Sequence, residues 1–292
     1  MRKINLVFAL LLILSSCSFN KMFLKPTNLQ EVSTTKINIG GQPIDLHFTP
    51  DTFQPTFMKG SDTVSFNFSI RSVVFKSTSS NTLNAWLLQP EDIPAPITLL
   101  FFHGNGGFLG SQFQGMAPLV KFGFQILMVD YSGYGLSTGK ASRKNVLLDA
   151  LSTIDYALQN SEIKNTSVVI YGQSLGGNVA AVAAAERQDK INGLVLEGAF
   201  TSHDDMAAKQ AGFFGRMMVA EKYSAKESIQ LYGKPVLIIH STEDKTVPFE
   251  MGKELFDLAN QPKQFYQIDK CHICGPTFYA PEIAERIKKM VL

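Results

Sequence analysis

The sequence predicts an α/β protein with a mostly parallel central sheet and helices on both faces. Two patterns predict it. Five near-continuous apolar runs, Ile97 to Phe102, Phe124 to Val129, Ser167 to Tyr171, Gly193 to Leu196 and Val236 to Ile239, read as strands buried on both faces. Helical stretches separate them, and strands alternating with helices imply parallel pairing through right-handed crossovers. The chain has 292 residues, 45% of them hydrophobic, which suits one large domain with a sizeable core.

Along the chain, residues 1–16 read as a signal peptide. Arg2 and Lys3 precede an apolar run from Ile4 to Leu14, too short for an ordinary membrane-spanning helix, and small residues follow. The sequence Leu14-Ser15-Ser16-Cys17 resembles the bacterial lipobox, in which the cysteine is acylated and becomes the new N-terminus. The expected location is therefore a bacterial cell envelope, with the protein held to a membrane through lipid on Cys17. Removing residues 1–16 leaves 25 basic and 25 acidic residues, so attachment would rest on lipid rather than charge. Residues 17–63 show no clear period and read as a tether and irregular lead-in. The domain proper is expected over 64–292.

Alternation begins at Val64 to Phe68 and continues in Arg71 to Phe75 and Leu83 to Leu88, read as antiparallel edge strands. Lys144 to Leu158 carries apolar residues at a helical period, and Leu175 to Glu186 is rich in Ala and Gly, as close packing on a sheet requires. Gln264 to Ile268 is the last expected strand. With 18% charged residues and a net charge of +2 there is no clustered basic face for nucleic acid, and the composition is not that of a disordered chain.

Gly172-Gln173-Ser174-Leu175-Gly176 fits G-x-S-x-G. The pattern alone is weak. Here it follows the apolar Val168 to Tyr171 and opens an Ala-rich helix, the strand–turn–helix context in which a serine is presented above a sheet. The helix N-terminus favours negative charge developing there. The bland reading of Ser174 is a helix N-cap.

A serine hydroxyl needs a base. Where a serine sits on such an elbow, the acid and then the histidine follow it in the chain. Of five histidines, His47 and His103 precede Ser174. His240 ends a buried strand and reads as a core histidine, while His203 lies in a polar stretch that could line the site. His272 follows the last strand in a loop with Gly275 and Pro276 and is the chosen base. Asp244, after the strand ending at His240, is the chosen acid, with Glu243 as rival; Asp269 reads as a turn residue. His103-Gly104-Asn105-Gly106-Gly107 follows a strand, and its glycines let backbone N–H groups face a small anion. The N–H groups of Leu175 and Asn105 are the candidate oxyanion hole. No dinucleotide or P-loop glycine pattern occurs in that loop, and no metal or cofactor is expected.

These motifs, with Asp130-Tyr131-Ser132-Gly133-Tyr134-Gly135, Glu197-Gly198-Ala199-Phe200-Thr201-Ser202 and His240-Ser241-Thr242-Glu243-Asp244-Lys245-Thr246-Val247-Pro248, occur in an order that resembles the α/β-hydrolases of the serine aminopeptidase-like group, which includes protein-depalmitoylase relatives. The resemblance covers about residues 64–292. It implies the α/β-hydrolase fold and a serine esterase, thioesterase or peptidase acting on a small or acylated substrate without a cofactor. An acyltransferase and a non-catalytic scaffold are the alternatives. It also supports Ser174, Asp244 and His272. One departure is Cys271, where the family usually has Gly before the histidine. Cys271 and Cys274 bracket His272 and can pair oxidatively outside the cytoplasm. The stretch from Phe200 to Lys234 leaves room for a small cap at most. Its Phe213, Phe214, Met217, Met218 and Val219 read either as an acyl-side wall or as helix packing.

Overall fold

The computed structural model describes residues 23–217, 219 and 223–292. Residues 1–16 and Cys17 lie outside these. The segment read as a tether and irregular lead-in is instead ordered from Phe23 onward. A strap carrying β1 (Lys25–Pro26) leads into an antiparallel sheet of β2 (Thr34–Ile39), β3 (Gln42–Phe48), β4 (Pro55–Lys59) and β5 (Asp62–Thr63). Its strands are short and broken by turns such as Gly40-Gly41, where both residues take positive φ, so no long alternation shows in the sequence. Ile37, Ile44, Leu46, Phe48 and Phe57 are buried in the same core as Trp86 and Phe113 of the main body. Burying side chains of this size is worth about 1.5–3 kcal/mol each, and that holds the small sheet in place. There is accordingly no boundary at residue 64. The alternation at Val64 to Phe68 is not a strand before Phe68. Phe66 stacks on Phe68 and meets Phe57 and Phe113 edge-on, so ring packing takes the place of pairing.

The main sheet starts with β6 (Phe68–Lys76) and β7 (Thr82–Pro90), then β8 (Ile97–Phe102), and the short β9 (Gly106–Gly107) pairs in parallel with β1. Then come α1 (Leu109–Met116), β10 (Phe124–Val129), α2 (Arg143–Ala157), β11 (Ser167–Gln173), α3 (Leu175–Glu186), β12 (Gly193–Glu197), α4 (His203–Met217), α5 (Ala225–Ile229), β13 (Val236–Ser241), α6 (Phe249–Leu258), β14 (Lys263–Ile268) and α7 (Gly275–Val291). The strand order is β14-β13-β12-β11-β8-β10-β7-β6, parallel from β14 to β10 and antiparallel at β7 and β6, as the apolar runs and the edge alternation predicted.

Alternation within the buried strands feeds two cores. Leu100, Phe102, Ile170 and Leu196 pack with α2, α3 and α5 on one face. Leu99, Phe101, Val169 and Val195 pack with α1, α7 and the small sheet on the other. Among the described residues between β12 and β13 the helices are α4 and α5 alone.

Candidate active site

The turn from β11 into α3 places Ser174 at φ 54° and ψ −117°, a conformation non-glycine residues rarely hold. The turn closes this tightly because its neighbours are glycines. A Cβ at Gly176 would overlap the Phe102 carbonyl oxygen, and one at Gly172 would overlap the Gly176 carbonyl oxygen. The Ser174 N–H donates to the Glu197 carbonyl at 2.9 Å, tying the elbow to β12.

Asp244 and His272 reach this serine from the ends of β13 and β14. The His272 Nε2 lies 2.9 Å from the Ser174 hydroxyl oxygen, and its Nδ1 lies 2.5 Å from the Asp244 Oδ2. Thr246 and Val247 donate backbone N–H groups to the Asp244 Oδ1, both at 2.8 Å. Burial alone would raise this carboxyl's pKa, but the bonds from His240 and His272 outweigh it and hold Asp244 well below the usual carboxylate range. The rival Glu243 is exposed, and Asp269 is exposed and bonded to the Tyr279 hydroxyl. Such an arrangement can take a proton from the hydroxyl and stabilise the resulting imidazolium.

The loop His103 to Gly107 stands opposite. Gly104 lies against Ser174, where a Cβ would come within 3.6 Å of the serine Cβ. The loop's carbonyl groups are used to fix it: the Tyr131 hydroxyl donates to His103 O at 3.0 Å, while the Tyr134 hydroxyl and the Lys25 N–H donate to Asn105 O at 2.8 and 2.7 Å. His103 is buried with its Nδ1 2.8 Å from Gly104 O, and burial drives its pKa down to about 4, so it sits neutral within the loop as a structural residue. Asn105 and Leu175 both line a cavity of about 410 Å³ that has Ser174 and His272 in its wall. Its apolar side comes from Phe23, Phe200, Met206 and Val247. Phe213 and Phe214 do not line it. They are 71% and 76% exposed, so for these two neither reading holds: they neither line the cavity nor pack on the core. Val219 is buried, and Met218 lies outside the described residues.

A family model described as the alpha/beta hydrolase fold matches residues 97–220. Protein bem46 of Schizosaccharomyces pombe is 31% identical over 217 residues, covering 70% of this chain and 71% of the relative. The chain belongs to the α/β-hydrolase fold family. Lysophosphatidylserine lipase ABHD12 of Xenopus tropicalis is 27% identical over 209 residues, 65% of this chain and 53% of that relative. Among solved structures, an esterase of Pyrococcus furiosus superposes with a TM-score of 0.65 at 19% identity, covering 77% of this chain and 92% of that one. At that identity the likeness is one of fold.

Two polar residues in this α/β-hydrolase hold the site without touching the cavity. The carboxylate of Glu197 is buried at the end of β12. Its Oε2 accepts from the Tyr171 hydroxyl at 2.7 Å and Gln173 Nε2 at 2.8 Å, and its Oε1 accepts from the Gly275 N–H at 2.6 Å. Glu197 thus joins the strand leading to Ser174 to the helix that follows His272; burial raises its pKa against those three donors. His240, read as a core histidine, is buried and holds its Nε2 3.1 Å from Val247 O and 3.3 Å from Asp244 Oδ2. The sequence signal for Glu197 was present only as membership in a quoted motif, and that for His240 as its place at the end of a buried strand. Cys271 and Cys274 are bonded to each other across His272, their Cα atoms 5.6 Å apart. His203, a candidate for lining the site, is instead buried among the rings of Phe23, Phe200 and Tyr223.

Proposed function

We propose that the chain is a serine hydrolase that cleaves a carboxylic ester or thioester through an acyl-enzyme at Ser174. The observation that carries this reading is the contact of His272 with both the Ser174 hydroxyl and Asp244 at the wall of a mostly apolar cavity. The Ser174 oxygen attacks the substrate carbonyl carbon while its proton passes to the His272 Nε2. The carbonyl oxygen becomes an oxyanion facing the N–H groups of Leu175 and Asn105. As the tetrahedral intermediate collapses, the bond to the leaving alcohol or thiol breaks, and that group takes the proton from His272. Water then attacks the acyl-enzyme carbonyl and gives its proton to His272, and the proton returns to Ser174 as the acid leaves.

An ester fits better than an aminopeptidase substrate. Among the described residues that line the cavity none is acidic, so none of them offers a carboxylate to a free α-ammonium group. Lysophosphatidylserine lipase among the relatives favours an acyl ester as well. A fluorophosphonate probe tests the chemistry: it should label the wild type and fail on Ser174→Ala of equal thermal stability. Equal labelling of the two removes Ser174 from the role. Lipid on Cys17 in a bacterial cell envelope completes the reading. Mass spectrometry of membrane-extracted protein should find a diacylglyceryl adduct at a new N-terminus, and a free Cys17 thiol would refute it.

A further inference from the structure

We propose that the rim of the catalytic cavity docks on a lipid bilayer, with Phe213 and Phe214 inserted at its surface, so that acyl esters enter from the membrane. The substrate part of this inference rests on the hydrolase reading above. The docking part rests on the following geometry.

Met206 and Gln210 of α4 line the cavity. Immediately beyond them the helix breaks, with Ala211 at φ −136° and Gly212 at φ 61°. The chain then folds back, since Gly215 packs on the Ala207 carbonyl. Phe213 and Phe214 stand at the tip of this reversal with ring centroids 6.3 Å apart, and both are mostly exposed. Residues 209–214 are all exposed, and the run contains Lys209 and no acid. Two adjacent phenylalanines exposed beside a basic residue suit a headgroup–acyl boundary.

Chain length selects the occupant. Phe23 forms part of the cavity wall, six positions after Cys17. Six residues span at most about 22 Å even when fully extended. Lipid on Cys17, as proposed above, would therefore hold the Phe23 side of the cavity within that distance of the membrane surface. Lys25, also at the cavity, is exposed and makes no ion pair among the described residues, so its ammonium is available to anionic headgroups. No helix among the described residues is long and apolar enough to cross a membrane.

The test separates docking from anchoring. Cys17→Ser removes the lipid and leaves every described residue in place. This protein is sedimented with vesicles of phosphatidylcholine and phosphatidylglycerol at three to one. It should bind them, and the further change Phe213→Ser/Phe214→Ser should lower the bound fraction at least fivefold. That variant should keep its rate on a soluble short-chain ester within twofold and lose at least tenfold on an acyl ester embedded in the vesicles. Phe213→Trp should restore binding and shift its emission to the blue on vesicles. Equal sedimentation with and without the two phenylalanines overturns the proposal. So does concentration-dependent dimerisation that depends on them without vesicle binding. Sedimentation needs no turnover, so failure of the hydrolase reading would show separately, as loss of fluorophosphonate labelling in the wild type.

Discussion

Glu197 ends β12 with its carboxylate between the strand that delivers Ser174 and the loop that delivers His272. Three donors converge on two oxygens, so Glu197→Gln would turn an amide N–H toward at least one of them. A buried donor left without an acceptor costs about 1–3 kcal/mol, and the loop carrying the base would lose its anchor at Gly275. We expect thermal unfolding to move down accordingly and kcat to fall roughly tenfold with KM nearly unchanged. Glu197→Asp, which keeps the charge but shortens the reach, should recover part of kcat; an unaltered kcat in Glu197→Gln would show that the anchor does not position the base. The elbow at Ser174 was legible in the sequence because it is made of adjacent residues, a strand, two glycines and an Ala-rich helix. Glu197 was not, because its partners Tyr171, Gln173 and Gly275 are distant in the chain and only the fold brings them together.

Among the elements, the short loop from Cys271 to Cys274 is the one whose covalent state we expect to bear on turnover, on the proposed hydrolase reading. The bonded cysteines flank His272, and Cys274 is the residue just before α7. The loop they close is so short that removing the bond frees little chain entropy in the unfolded state. It does free the backbone on either side of the imidazole, and a misplacement of about 1 Å can cost up to 100-fold. Reduction, or Cys274→Ser, should therefore lower kcat roughly tenfold while the melting temperature moves by only a few degrees. A large loss of stability with unchanged kcat would reverse that assignment. At this scale the long buried strands and the helices after them were legible, because runs of Val, Ile, Leu and Phe have few other places to go. The four strands between Thr34 and Thr63 were not, since each buries only a few side chains and the turns interrupt the period. The strap was missed for a related reason: Phe23 and Lys25 matter through what they lie against, and β1 is two residues long.

For the whole molecule, two buried histidines weaken the fold in acid, opposed by the buried carboxyls of Asp130 and Glu197, whose pKa values burial raises. Burial drives the pKa of His103 down to about 4, and burial together with Arg143 drives that of His203 to about 3. In the unfolded chain both return to about 6.5 and bind protons that the folded state refuses. The unfolded state thus holds more protons below that value, and stability falls as pH drops from about 6.5 toward 4, by up to ~1.4 kcal/mol per pH unit for each histidine. Urea unfolding at pH 7, 6 and 5 should show this slope. His203→Leu, which keeps an apolar group among the surrounding rings, should make the slope shallower, and an unchanged slope would place the acid sensitivity elsewhere.

The turn at Ser174 has a consequence for how variants of this protein would fare in a cell. Backbone held at positive φ in a residue with a side chain costs on the order of 1–3 kcal/mol, and glycine adopts it freely. Part of that relief is offset by about 0.5–1 kcal/mol of added chain freedom in the unfolded state. Ser174→Gly should therefore melt a few degrees higher than the wild type while losing all turnover, which calorimetry beside an ester assay would reveal. Steady-state abundance follows the fraction of molecules exposed to proteases. The variant should then accumulate to a higher level than the wild type, and a selection for yield alone, applied to random variants of this chain, would enrich for the loss of the Ser174 side chain.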